Sequence, residues 1–175
     1  MYLLRELERG DLPEVNRWRR DPALIGRLTA PYRYINAEVD EHWFDHYMQN
    51  RSQAIRCAVV EAERPHQILG LVSLTNIDWV HRTAYFGIMI GREENRGKGL
   101  GSFAVEAILR HAFGDMNLNR VELTVLEDNQ RARRLYEKAG FVQEGCFRQA
   151  LFKEGSYRDL LFMAVLRKEW EALGD

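Results

Sequence analysis

A chain of 175 residues is long enough to bury one sizeable hydrophobic core and short for two. Its apolar content of 46% and charged content of 29% are those of a globular protein and exclude a disordered one. Lys and Arg number 25 against 26 for Asp and Glu, so the chain lacks the basic excess of general nucleic-acid and membrane-surface binders.

The N-terminus and the cysteines indicate where the protein works. MYLLRELERGDLPEV has no basic region followed by an apolar run, and no segment approaches the ~18 apolar residues of a membrane span. Cys57 and Cys146 lie far apart and form no Cys-x-x-Cys pair, which is typical of reduced thiols. With no repeat and no linker-like stretch, these features predict one domain over 1–175 in a soluble, cytoplasmic protein that binds neither nucleic acid nor membrane.

The first third of the sequence predicts one strand and two helices. Asp11 and Glu14 have the spacing of a capping box, in which both side chains accept from backbone N–H groups of the first helical turn. Pro22 ends this helix, because the residue before a proline disfavours helical geometry. The predicted elements are a strand over Tyr2–Leu7, a helix from Asp11 to just before Asp21, and a helix over 37–50.

The middle of the sequence predicts three strands, the last of them buried on both faces. Residues 83–91, TAYFGIMIG, form a near-continuous apolar run, as in strands at the centre of a sheet. Gly87 within this run indicates a bulge or the close approach of another backbone. The predicted strands are Ala54–Glu61, Gln67–Asn76 and Thr83–Gly91.

The remainder of the sequence predicts two helices that alternate with strands, and then a hairpin. Gly140 lies just past the second helix, where a left-handed cap is expected. The order β-α-α-β-β-β-α-β-α-β-β predicts an α/β (α+β) fold with a mixed central sheet and helices on both faces. The elements of this part are helix Leu100–Phe113, strand Arg120–Leu126, helix Asn129–Ala139 and hairpin strands Phe147–Lys153 and Tyr157–Val165.

Residues 95–101, NRGKGLG, form the most informative segment. The segment follows the buried strand and opens a helix, and its three glycines let the backbone come close to a ligand. Unpaired N–H groups at a helix N-terminus bind anions, and Arg96 and Lys98 add positive charge there. The segment predicts a phosphate or pyrophosphate site, against the alternative of a tight turn that binds nothing.

Other site motifs fit the sequence less well. A P-loop needs Ser or Thr after Gly-Lys, but Gly99 stands at that position. Gly99, Gly101 and Ala104 match the dinucleotide fingerprint, yet that fingerprint follows the first strand of a long βαβ array, and at least three strands precede it here. His42 and His46 are four residues apart on a helix without an evident third ligand, so no metal site is predicted.

Two motifs in this order carry a family resemblance. Arg96-x-x-Gly99-x-Gly101 after TAYFGIMIG, followed by VLEDNQRARRLYEKAGF, resembles the GNAT superfamily of acetyl-CoA-dependent N-acetyltransferases. The similarity covers nearly the whole chain. NIDWVHRTAYFGI is typical of the subgroup that holds spermidine, ribosomal-protein N-terminal and amino-sugar-nucleotide acetyltransferases. The resemblance implies acetyl-CoA as the acetyl donor and a sheet in which Thr83–Ile90 splays away from Arg120–Leu126.

The resemblance also implies where the cofactor binds. The pantetheine arm lies between the splayed strands and the pyrophosphate lies on the glycine segment. Asn129 matches the asparagine that hydrogen-bonds the pantetheine arm, and its sequence position equally suits a helix N-cap. A backbone N–H near Ile88 is placed to bind the thioester oxygen as negative charge develops. The implied cofactor-binding residues are Ile88, Met89, Ile90, Arg96, Gly97, Lys98, Gly99, Leu100, Gly101 and Asn129.

Acetyl transfer to an amine needs a neutral amine, a stabilised oxyanion and a proton for the departing thiolate. Tyr136, in LYEKAGF, matches the family's proton donor, and by pattern alone it also fits a packed core tyrosine. Some relatives carry a glutamate on the central strand where this chain has Tyr85, which is predicted to contact substrate. Glu127 is the predicted general base, with Asp78 or a water relay as alternatives.

The family builds its acceptor pocket from the first third of the chain, where spermidine acetyltransferases carry acidic residues. Ile25–Ile35 here has no acid and two arginines, Arg27 and Arg33. Unless both are solvated loop residues, they suit phosphate or carboxylate and repel a polyamine. The predicted acceptor is a small anionic amine, with a nucleotide-linked amino sugar first. A peptide N-terminus, a polyamine and a catalytically silent acyl-CoA sensor are alternatives, and a homodimer is left open.

Overall fold

The computed structural model describes residues 1–91 and 97–174, and seven strands within them form one sheet. The strands are β1 Tyr2–Glu6, β2 Ile55–Glu61, β3 Arg64–Asp78, β4 Thr83–Ile90, β5 Arg120–Leu126, β6 Val142–Lys153 and β7 Ser156–Leu166. Their order in the sheet is β1-β2-β3-β4-β5-β7-β6. The apolar run of β4 is therefore the fourth strand of seven, which confirms its predicted central place.

The sheet is mixed, as the sequence predicts. β4 and β5 pair in parallel, and every other neighbouring pair of strands is antiparallel. Two strands are longer than their apolar patterns suggest: β3 begins at Arg64 and β6 begins at Val142. Backbone pairing extends both strands into polar sequence, where hydrophobic alternation gives no signal.

Helices cover both faces of the sheet. They are α1 Leu12–Arg19, α2 Pro22–Ile25, α3 Ala37–Gln49, α4 Leu100–Arg110, α5 Gln130–Lys138 and α6 Arg167–Glu171. One core cluster joins the sheet to α4 and α5, and a second joins the opposite face to α1 and α3. Gly140, just past α5, has a φ of 94°, which confirms the predicted left-handed cap. The two-faced α/β arrangement thus follows the predicted fold class.

The capping box predicted at the first helix is wrong. Asp11 precedes α1, but its side chain makes no capping hydrogen bond there. This buried carboxylate instead accepts two hydrogen bonds of 2.8 Å from the guanidinium of Arg5, and one of 2.9 Å from the N–H of Glu8. Glu14 accepts from the indole N–H of Trp18. Asp11 has helical angles, φ −82° and ψ −19°, because a 3₁₀ turn over Arg9–Asp11 precedes α1, whereas an N-cap residue needs non-helical angles.

The bulge predicted at Gly87 is absent from the β3–β4 ladder. Gly87 pairs with Ser73 within a register that is regular from Gly70 to Thr75, and the shift lies between Thr75 and Asp78. The group that lies near Gly87 is a side chain and not a second backbone, because a Cβ at this position would lie 3.2 Å from the hydroxyl of Ser73. The opening of the sheet therefore comes from the separation of β4 and β5 and needs no bulge at this position.

Gly91, directly after β4, packs against Trp18 of α1. A Cβ at Gly91 would lie 2.0–2.3 Å from three indole atoms. We expect Gly91→Ala to lower the free energy of unfolding by about 1–3 kcal/mol, because the indole or the strand end must move. Urea denaturation measures this loss, with Gly10→Ala as control, since a Cβ at Gly10 meets nothing within 4 Å. Equal unfolding free energies for the two variants would contradict the packing.

Candidate active site

β4 and β5 separate partway along their length. They pair only at Thr83–Arg120, Ala84–Val121 and Tyr85–Glu122. β4 meanwhile remains paired with β3 as far as Ile90. Beyond Tyr85, the facing edges of β4 and β5 therefore carry backbone groups that have no strand partner across the gap, and such groups need another hydrogen-bonding partner. This is the splay that the family resemblance implies.

Tyr85 bridges the gap where the strands part. Its hydroxyl accepts from the N–H of Thr124 at 3.1 Å and lies 2.5 Å from Oγ1 of the same residue. The phenol thus satisfies a β5 amide at the start of the splay, and both residues line the cleft. The contact of Tyr85 with substrate stays a prediction. Sequence reasoning missed Thr124, because no local pattern distinguishes it from other strand threonines.

The cleft is an open cavity of about 660 Å³, within the usual range of ligand pockets. The splayed strands form its floor. One wall is the start of α4 together with α5, and another is the segment of residues 24–30 around the end of α2. The 24–30 segment supplies Leu24, Arg27, Leu28, Thr29 and Ala30 to the lining. Sequence elements that are far apart in the chain therefore meet at one site.

The described part of the glycine segment, residues 97–101, opens α4, as the sequence predicts. Gly97 has a φ of 86°, and Gly99 has a φ of 80° and stands at the N-cap position of α4. Both angles lie in the left-handed region that L side chains rarely adopt. These two glycines and Gly101 line the cleft. Bare backbone at a helix N-terminus on the wall of a cleft is suited to an anion.

Only some of the other predicted cofactor residues line the cleft. Ile88, Ile90 and Asn129 line the cleft. The side chain of Met89 packs in the core cluster on the opposite face of the sheet, so only its backbone could meet a ligand. Leu100 is buried and Lys98 is exposed, and neither belongs to the lining. Arg96 lies outside the described residues.

Tyr136 is both a packed tyrosine and a residue of the cleft wall. It is 8% exposed, and its ring centroid lies 5.8 Å from those of Phe86 and Phe141. Burial, and secondarily the nearby Tyr85, raises the pKa of its hydroxyl. The hydroxyl therefore stays protonated at neutral pH and remains a hydrogen-bond donor. The packing role and the donor role that the sequence left as alternatives are compatible in this geometry.

Asn129 connects the cofactor side of the cleft to the 24–30 segment. Its Oδ1 accepts from the N–H of Ala132 at 3.1 Å, which confirms the N-cap role. Its Nδ2 donates to the carbonyl oxygen of Arg27 at 3.0 Å. A hydrogen bond to a bound pantetheine arm stays a prediction, and the amide has a second N–H with which to make it.

The predicted acids do not lie on the cleft wall. Glu127 is exposed, and Asp78 is tied into the turn before β4 by hydrogen bonds from the N–H groups of Val80 and His81. Neither is among the residues of the lining, and nor is exposed Arg33. No carboxylate or imidazole occurs in the lining formed by the described part of the chain. The predicted base role of Glu127 therefore requires a relay through water.

Three cations of α5 line the cleft, and sequence reasoning missed them. They are Arg131, Arg134 and Lys138. Their spacing of three and then four residues places them along one helix edge, beside the apolar face that packs on the sheet. This spacing is the feature of the sequence from which the three cations could have been predicted to share one helix edge. Cations on that edge, next to the glycine helix start, complement the phosphates of a nucleotide-like ligand.

Residues 1–91 and 97–174 contain neither a candidate metal cluster nor a candidate membrane-spanning helix. No group of three or more His, Cys, Asp or Glu side chains there is arranged to hold a metal ion. No helix in that same part of the chain combines the length and the hydropathy that are needed to span a membrane.

The sequence of this chain is similar to those of known acetyltransferases. The acetyltransferase (GNAT) domain family matches residues 2–142. Over 168 residues the chain is 32% identical to the spermidine N(1)-acetyltransferase of Vibrio cholerae serotype O1, covering 95% of this chain and 94% of the relative. Over 94 residues it is 29% identical to the ribosomal-protein-serine acetyltransferase of Escherichia coli K12, covering 54% of this chain and 52% of the relative.

Among solved structures, the fold matches spermidine N-acetyltransferase from Vibrio cholerae in complex with CoA and spermine. The TM-score is 0.90 at 29% sequence identity, over 97% of this chain and 98% of the other. The splayed strands and the glycine-rich helix start are thus found in a chain that is similar to such enzymes throughout. On this combined basis the chain belongs to the GNAT family and is an N-acetyltransferase that uses acetyl-CoA.

Proposed function

We propose that this enzyme acetylates the primary amine of a small molecule that also carries an anionic group, with a nucleotide-linked amino sugar as the first candidate. The observation that carries the proposal is the charge of the cleft. Arg27, Arg131, Arg134 and Lys138 contribute to the described lining, and no Asp or Glu does. An anionic acceptor gains charge-assisted hydrogen bonds in such a site, whereas a polycation meets repulsion.

The four lining cations lie on two different walls of the cleft. Arg131, Arg134 and Lys138 lie on α5 beside the glycine segment, where the phosphates of acetyl-CoA are expected. Arg27 belongs to the 24–30 segment on another wall. Arg27 is therefore the lining cation that we assign to the acceptor.

A polyamine is the second candidate, and the relatives named as spermidine acetyltransferases favour it. Those relatives share this chain's fold and family, but an acceptor is chosen by the groups that face it. Recognition of several ammonium groups calls for carboxylates, and the described lining contains none. We rank the polyamine second because Arg27 is the lining cation on the proposed acceptor wall and no carboxylate occurs in the described lining.

The described residues suggest how the transfer proceeds. Bound acetyl-CoA supplies the acetyl group as a thioester. The unpaired edge of β4 near Ile88 offers backbone N–H groups to the developing oxyanion. Tyr136 donates its O–H to the departing sulfur. Because no described carboxylate or imidazole lines the cleft, the amine gives its proton to water. We propose that Glu127, just past the end of β5, finally accepts that proton through a chain of waters.

A screen of acceptors tests the proposal through the free thiol that acetyl-CoA releases. We expect faster turnover of an amino-sugar nucleotide than of spermidine or a peptide with a free N-terminus. With the best acceptor, Arg27→Glu should raise its KM by about tenfold and leave the Kd of acetyl-CoA unchanged, because the charge-assisted contact becomes a repulsion. Calorimetry with acetyl-CoA supplies the second value.

Arg82→Glu is the matched control, since Arg82 is exposed in the turn before β4 and lies outside the lining. It should leave both constants unchanged. Faster turnover of spermidine than of every amino-sugar nucleotide would overturn the proposed acceptor. An unchanged KM in the Arg27 variant would remove Arg27 from the acceptor site.

A further inference from the structure

Lys153, at the end of β6, is buried with only 8% of its surface exposed. Its Nζ donates two hydrogen bonds of 2.7 Å, one to the carbonyl oxygen of Ile25 and one to that of Ala30. Burial lowers the pKa of this ammonium, and the effect of adjacent Glu154 in the opposite direction is smaller. Burying an ammonium is costly unless other groups replace its water. The two carbonyl oxygens are therefore what holds the side chain in place.

The two acceptor carbonyls lie on either side of Arg27, Leu28 and Thr29, which line the cleft. Between them, the carbonyl of Arg27 accepts from Nδ2 of Asn129. Three backbone carbonyls of one short segment are thus bound by two side chains from different elements, Lys153 at the end of β6 and Asn129 at the start of α5. The tip of the β6–β7 hairpin also touches the segment, because Oε1 of Glu154 lies 3.2 Å from where a Cβ of Gly26 would be.

The 24–30 segment depends on these outside donors for its shape. α2 is only four residues long and ends at Ile25, and residues 26–36 form neither helix nor strand. Its backbone hydrogen bonds run from Ile25 and Gly26 to the preceding residues Asp21 and Pro22, and within the segment from Arg27 to Leu24 and from Leu28 to Ile25. A segment with so few internal hydrogen bonds opens easily unless other elements hold it.

We propose that Lys153 is a positioning residue that fixes the 24–30 segment against the β6–β7 hairpin, and thereby sets the affinity of the enzyme for its acceptor. Lys153 acts through the segment, since it is absent from the cleft lining whereas Arg27, Leu28 and Thr29 belong to it. The assignment of this wall to the acceptor rests on the proposed function. The holding of the segment by Lys153 does not.

Lys153→Met tests the proposal, because it keeps a long unbranched side chain and removes every donor. We expect the acceptor KM to rise by about tenfold or more, as for the loss of hydrogen bonds from a charged group. The Kd of acetyl-CoA should stay within about twofold, since the glycine segment and α5 are untouched. Amide hydrogen exchange of residues 24–30 should become faster, while exchange in β4 and α4 does not change.

Lys168→Met is the matched control, because Lys168 is exposed on α6 and far from the lining residues in sequence. It should change neither the exchange nor the KM. Lys153→Gln keeps two N–H donors on a shorter arm, so its KM should fall between those of the Met variant and the unaltered enzyme. It also provides the test if the Met variant does not fold.

The acceptor proposal is tested by the acceptor screen on the unaltered enzyme, whereas the role of Lys153 is tested by its variants. Failure of one proposal can therefore be distinguished from failure of the other. Unchanged exchange of residues 24–30 in a folded Lys153→Met variant would overturn the holding role. Faster exchange with an unchanged KM for whichever acceptor is best would overturn the positioning role. A matching loss of acetyl-CoA affinity would also overturn it, by showing a general structural defect.

Discussion

Tyr136→Phe is expected to lower kcat by about 10²–10⁴-fold and to leave the affinity for acetyl-CoA almost unchanged. The substitution removes the hydroxyl and keeps the ring, which is the part that contacts Phe86 and Phe141. The fold should therefore be retained, and the loss of rate should report the missing proton donor.

The pH dependence of the unaltered enzyme follows from the direction of the Tyr136 pKa. Burial raises that pKa above the ordinary tyrosine value of about 10, so the protonated donor persists through neutral and mildly alkaline pH. Ionisation of Tyr136 should then produce no fall in kcat as the pH rises toward about 10. A rate profile with an acceptor of known amine pKa would measure this.

Tyr157→Phe is the matched control for the Tyr136 variant, since Tyr157 is 65% exposed on β7 and lies outside the cleft lining. It should leave kcat unchanged. Single-turnover measurements establish whether chemistry limits the rate. If chemistry is limiting and kcat is unchanged in the Tyr136 variant, Tyr136 only packs, and another group must protonate the thiolate.

Gly99→Val is expected to weaken acetyl-CoA binding by about hundredfold or more. Gly99 has a φ of 80° at the N-cap position of α4, and a β-branched residue is strongly disfavoured there. A Cβ at this position meets nothing within 4 Å, so crowding is not the cause. The backbone must change conformation instead, and the N–H groups at the start of α4 then no longer converge on the pyrophosphate.

Isothermal titration calorimetry with acetyl-CoA measures this effect, after thermal unfolding has shown that the variant is folded. Gly114→Val is the control, because Gly114 is exposed, lies outside the lining, and also leaves room for a Cβ. Its acetyl-CoA affinity should equal that of the unaltered enzyme. A folded Gly99→Val variant with full affinity would show that the pyrophosphate lies elsewhere.

Features that depend on neighbouring residues were predictable from the sequence. The left-handed cap at Gly140 and the N-cap at Asn129 follow from local backbone chemistry. The central place of β4 follows from its apolar run, since a strand buried on both faces has no polar alternation. The glycines of residues 95–101 also follow from local chemistry, because the left-handed angles of Gly97 and Gly99 at a helix start are ones that glycine adopts readily. The binding of the cofactor there stays a prediction.

Local patterns gave the wrong result where a distant group competed for the same atoms. Asp11 and Glu14 have the sequence of a capping box, but the guanidinium of Arg5 takes the carboxylate of Asp11. Gly87 suggested a bulge or a close backbone, whereas its missing side chain makes room for the hydroxyl of Ser73 within an unbroken register. A sequence pattern cannot show which partner wins, because the partner is brought there by the sheet.

The two sides of the active site differ in how much the sequence determined. The proposed cofactor side comes from one stretch of sequence, β4 to α5, so the order of its elements along the chain already suggested how they meet. The proposed acceptor side was decided only by tertiary structure. Lys153 and Ile25 are 128 residues apart, and their contact exists because the β6–β7 hairpin lies against a segment with little secondary structure of its own. The exclusion of Glu127 and Arg33 from the cleft wall has the same origin, since folding rather than sequence position determines which charges face the acceptor.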